Sequence, residues 1–138
     1  MTGRYHRTMA QPENHDGNSF LVTPQEAAAA SRRACDAFLI VRQAVRMQTH
    51  ADGGGDPVAA AAVAANARLA MAAGGPYLLS RLDPATPRPL AKAIRAFAEV
   101  LEDVAMSSLA GIGNDDPEQA ARLREADVLS ARVASFCE

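Results

Sequence analysis

Four cations stand close together in the middle of this chain: Arg81, Arg88, Lys92 and Arg95. Arg88, Lys92 and Arg95 are spaced four and three, so a helix places them on one side. In a helix beginning near Arg88 they occupy the first two turns, beside the positive end of its dipole. Cations gathered there are the chemistry of an anion site, whether for a phosphate, a nucleotide, a nucleic-acid backbone or an acidic partner. Glu99, Glu102 and Asp103 follow in the later turns. Both groups oppose the macrodipole, which favours acids first and bases last, although each exposed charge costs only some tenths of a kcal/mol. The plainer reading is a solvated face whose charges pair with Arg32, Arg42 or Arg46, or with the last helix. Nucleic acid is not expected, because the cluster lacks interleaved aromatics and a glycine-rich cradle. A helix-turn-helix is not expected either, since residues 107–117 make too long and glycine-rich a linker for its tight turn.

Other chemistry finds less support. His6, His15 and His50 have no second ligand at i+3 or i+4, so no metal is expected; His50 suits a helix C-terminus, where a cation favours the dipole. The carboxylates 99, 102 and 103 lie opposite the Leu90/Phe97 side of their helix. They come without the Glu-x-x-His motif of dimetal bundles, and read as an acidic ridge. No serine or cysteine has an assignable histidine partner, so no catalytic residue is expected. Asn66 and Arg68 are the strongly polar groups on an otherwise apolar stretch, and with Tyr77 they mark the one place where a site between helices would form. No cofactor is implied.

Four start signals of one kind define the elements that carry these residues: Thr23-Pro24, Asp56-Pro57, Thr86-Pro87 (with Asp83-Pro84 before it) and Asp116-Pro117. Each sets a capping oxygen ahead of a proline, whose fixed φ suits the first helical position. The helices predicted behind them span about 24–50, 57–73, 88–110 and 117–136. Thr23 and Glu26 form a capping box. Asp52-Gly53-Gly54-Gly55, Gly74-Gly75-Pro76 and Gly111-Ile112-Gly113 read as stops, with a short helical turn at 77–82.

Ala27, Ala34, Phe38, Val41 and Val45 share a face of the first helix. Leu90, Ile94, Phe97, Leu101, Val104 and Ser108 make a four-three seam on the third, and Leu123, Ala126, Leu129, Val133, Phe136 and Cys137 a stripe on the fourth. The predicted fold is all-α: a single antiparallel four-helix bundle over residues 23–138 behind a mobile N-terminal arm, residues 1–22.

Composition bounds the rest. The chain has 138 residues, 49% of them hydrophobic but 4% aromatic, with a net charge of −2. One domain of this size buries roughly two-thirds of its unfolded surface. Much of the apolar count is alanine, so the core is expected to be closely spaced helices anchored by Phe38, Phe97, Phe136, Leu101 and Leu129. The charge gives no general attraction to nucleic acid or anionic membrane. Residues 1–19 are polar, so no secretory signal is expected, and 58–73 read as too short and weakly hydrophobic to span a bilayer. Cys35 and Cys137 lie far apart, and two reduced thiols in a cytoplasmic protein are expected. Abundant alanine and arginine point to a GC-rich bacterial or phage genome.

The last feature is a surplus of apolar surface. The second helix is apolar on nearly every side, and Leu39 and Ile40 fall off the main face of the first. An interface is therefore expected at Leu39, Ile40, Val58, Val63, Leu69 and Met71, most simply in a homodimer packing helices 1 and 2 against their copies. The function this implies is a non-enzymatic adaptor or regulator with a protein partner. The alternatives are an anion- or nucleotide-binding module using the basic part of helix 3, and a small enzyme or enzyme subunit with its site between helices.

Overall fold

The computed structural model describes residues 21–138. The predicted arm lies outside them apart from Leu21 and Val22, which are exposed. His6 and His15 lie outside them as well. Four helices follow: α1 (Pro24–His50), α2 (Pro57–Ser80), α3 (Arg88–Leu109) and α4 (Pro117–Phe136). They form an all-α four-helix bundle in which successive helices are neighbours. The α1–α4 edge is slight by comparison with the other three.

Three of the four predicted caps hold. Thr23 accepts from the Glu26 N–H at 3.1 Å, Asp56 from Val58 at 3.0 Å, and Asp116 from Glu118 at 3.0 Å and Gln119 at 3.1 Å. Thr86 does something else. The cap position of α3 is Pro87, with no side-chain cap. The buried Thr86 hydroxyl instead accepts from the Asp83 N–H at 3.1 Å, while Asp83 accepts from the Ala85 N–H at 2.7 Å. The two side chains close the Asp83-Pro84-Ala85-Thr86 turn on itself. At its far end α3 stops in a Schellman arrangement. Gly111, at φ 91°, donates to Ser108 and Ile112 donates to Ser107, both at 3.0 Å.

The end of α2 differs most from the sequence reading. Its helix runs through Gly74-Gly75-Pro76 to Ser80 rather than stopping at Ala73. The reason is packing. A Cβ on Gly74 would lie 2.8 Å from Val41 Cγ1, and one on Gly75 2.9 Å from the Ala98 carbonyl oxygen. The glycines are where α2 is pressed between α1 and α3, and that contact outweighs their poor helix propensity. The extra turns carry Leu78, which is buried, into the core.

The core sits on α3, not on α2. Leu90, Ile94, Phe97, Leu101 and Val104 of the predicted seam are buried, and so are Ala91, Ala93, Ala98, Val100 and Ala105. The Phe38 and Phe97 rings meet edge to face at 5.7 Å across the bundle. In α2, by contrast, 17% of the most apolar stretch is buried. Alanine offers little area to hide, so the larger side chains of α3 gain more from the centre. Among the expected anchors Leu129 is half-buried, and Phe136 is 45% exposed and therefore outside the core.

A disulfide joins Cys35 of α1 to Cys137, the residue after α4, with Cα atoms 5.6 Å apart. The two thiols expected to be reduced are thus bonded. The bond crosses the edge where the helices pack least.

Candidate functional site

Two grooves on different edges of the bundle each gather some of the residues singled out by the sequence. The first lies between α1 and α2 and has a volume of about 420 Å³. Ile40, Ala44 and Gln48 recur every four residues along one face of α1, which is why they share a wall. Asn66, Leu69, Ala70, Ala73 and Tyr77 do the same on α2. The lining is mainly apolar, with Gln48, Asn66 and Tyr77 supplying polar groups. Ile40 and Leu69 stand 56% and 64% exposed at this surface.

The other interface candidates distribute differently. Leu39 faces outward from α1 with Arg42, Gln43, Met47 and His50. Val58 is exposed near the start of α2. Val63 is half-buried in a cleft with Arg68, Thr49 and Ser108. Met71 is a core residue, packed with the buried cluster rather than at the surface. Asn66 lines the first groove together with Tyr77, whereas Arg68 opens into a separate cleft, so the three do not form one site.

The second groove lies between α3 and α4, with a volume of about 390 Å³. Arg88 and Lys92 line it from α3, and Arg132 from α4. Pro89, Ala93, Ala96, Leu129 and Phe136 complete its walls. Two members of the predicted cation cluster are elsewhere. The Arg81 guanidinium lies 4.4 Å from the Tyr77 ring centroid and donates to Ser80 Oγ at 3.2 Å. Arg95 is exposed and does not line the groove. Arg132 was not part of the predicted cluster. Its signal was present, since it interrupts the Leu129/Val133/Phe136 stripe with a charge.

The charged residues expected to neutralise α3 do not do so. The ion pairs among the described residues are Arg33–Asp83 at 2.6 Å and Arg122–Glu118 at 3.6 Å. The first fastens α1 to the α2–α3 connection. Glu99 and Asp103 are exposed, and Glu102 packs its stem against Gly75. No three His, Cys, Asp or Glu side chains among the described residues are grouped to hold a metal. The His50 ring lies 2.7 Å from the Arg46 carbonyl at the C-terminus of α1.

No protein family, curated protein or solved structure matches this chain.

Proposed function

We propose that this chain is a non-enzymatic interaction protein, an adaptor or regulator, that works as a homodimer through the α1/α2 face. The observation that carries the proposal is the exposed pair Ile40 and Leu69 beside an apolar groove on that face. A twofold axis through such a face sets the projecting residues of one copy against the groove of the other, and the reverse. The size fits. The 24 residues of α2 run about 36 Å, and two adjacent helices are about 20 Å wide. The face thus offers on the order of 700 Å² per protomer, near the ~800 Å² of a standard interface. The exposed carboxylates Glu99 and Asp103 on α3 would help to orient a protein partner by charge.

By length and composition, α2 is also apolar enough to cross a bilayer. Its buried glycine contact with α1 and α3 favours the bundle, and a dimer would cover the exposed apolar length instead. The disulfide bears on location. Such bonds persist where thiols are oxidised, so an oxidising compartment suits the folded chain better than the cytoplasm expected from sequence.

Light scattering on a size-exclusion column, at low and high salt, tests the proposal. A mass twice the 14.5 kDa of the chain at both salts is the expected result. A monomer at micromolar concentration, or recovery with lipid vesicles in place of a soluble dimer, overturns it.

A further inference from the structure

We infer that the α3/α4 groove is a binding site for a small amphiphilic anion, an apolar tail ending in an anionic head group. Three features of the groove define this ligand. Its rim carries Arg88, Lys92 and Arg132, contributed by two helices, and none of them is in an ion pair with a carboxylate of the described residues. Its walls are apolar, with Leu129 half-buried and Phe136 exposed despite its size. Its volume of about 390 Å³ lies within the roughly 300–1,000 Å³ of small-molecule sites.

Each feature removes a class of ligand. An inorganic anion would use the cations and leave the apolar walls wet. A neutral apolar molecule would cover Leu129 and Phe136 and leave three like charges uncompensated. A ligand with an anionic head and an apolar tail satisfies both. Arg88 and Arg132 supply the forked donors that match a carboxylate, and Lys92 supplies a point charge. The uncapped start of α3 adds the positive end of its dipole at Arg88. The disulfide at Cys137 anchors the chain immediately after Phe136, so the α4 wall is held in place by a covalent bond to α1.

The groove lies on the edge of the bundle opposite the α1/α2 face, and so remains open in the proposed dimer. The two proposals therefore stand or fall separately.

Titration calorimetry with decanoate, below its micelle-forming concentration, tests the assignment. Decanol, inorganic phosphate and anionic phospholipid vesicles serve as comparison probes. Decanoate is expected to bind one site per chain and to raise the melting temperature, with decanol and phosphate each much weaker. Lys92→Ala and Arg132→Ala should each weaken decanoate binding on the order of tenfold. Arg95→Ala, an exposed cation outside the groove, should leave it unchanged. Because all three positions are at the surface, folding can be checked by the same melting curves. Equal binding of phosphate and decanoate, or insensitivity to Lys92→Ala and Arg132→Ala, overturns the proposal. So does binding to vesicles without binding of free decanoate.

Discussion

At the residue scale, the chain separates side chains that touch the core from side chains that only resemble core residues in sequence. Gln119 is fully buried, yet it is polar. Its Nε2 donates to the Val104 carbonyl at 2.9 Å, and its Oε1 accepts from Arg122 at 3.1 Å. It therefore ties the first turn of α4 to the last two turns of α3. Gln119→Ala removes that bond and leaves a void, and should cost about 2–4 kcal/mol in denaturant unfolding. Gln119→Leu fills the space and should cost about 1 kcal/mol, because the Val104 carbonyl is already within the helix ladder. An equal loss for leucine and alanine would mean that the hydrogen bond, which both variants remove, and not the packing sets the stability. Nothing in the spacing around Gln119 marks it as buried. It follows the Asp116 cap by three, a position usually open to solvent, and only the approach of α3 covers it.

At the element scale, α2 shows how packing overrides local preference. Gly74 and Gly75 read as a stop because glycine is a poor helix former, and Pro76 lacks the N–H that a helix interior uses. In the bundle they are the residues small enough for the crossing with α1 and α3. Replacing either with alanine gains about 1 kcal/mol of helix propensity. It also inserts a methyl where there is no room, at a cost of about 1–3 kcal/mol. Gly75→Ala should be the more damaging, because it meets the backbone carbonyl of Ala98, whereas Gly74→Ala meets the side chain of Val41. Melting temperatures of the two variants check the order. On the outer face of the same element, Leu69→Asp, and Ile40→Asp opposite it on α1, should leave the monomer's stability within about 0.5 kcal/mol. Both should abolish dimerisation in light scattering. A loss of folding instead would place these residues in the core.

At the scale of the whole molecule, the disulfide and the Phe38–Phe97 contact hold together what the helix contacts leave open. Cys35 and Cys137 are 102 residues apart in sequence. Closing a loop of that length restricts the unfolded chain by about 4–5 kcal/mol in the chain-entropy account. Reduction with a thiol reagent should therefore lower the melting temperature by roughly 14–17 °C for a domain of this size. Thiol titration in denaturant, without reductant, should find no free cysteine. Two free thiols and an unchanged melting curve on adding reductant would restore the reduced pair that composition alone favours. The slight α1–α4 edge locates the effect, since opening there leaves the α2–α3 contact intact.

The sequence by itself determined the helices, their order and nearly all of their ends. Those depend on local interactions: a capping oxygen before proline, a glycine at positive φ, and apolar residues repeating at helical spacing. It also carried the α3 seam, because large side chains at four-three spacing have one way to be buried. Which helix becomes the centre was decided by the tertiary structure. Alanine-rich α2 has the higher apolar count, but α3 has more area to remove from water. The tertiary structure also decided the makeup of the grooves. Arg81 and Arg88 are close in sequence, yet Tyr77 engages one while the other faces α4. Arg132 joins Lys92 across a distance in sequence that no spacing rule spans. The disulfide has the same origin, since only the return of α4 beside α1 brings Cys137 to Cys35.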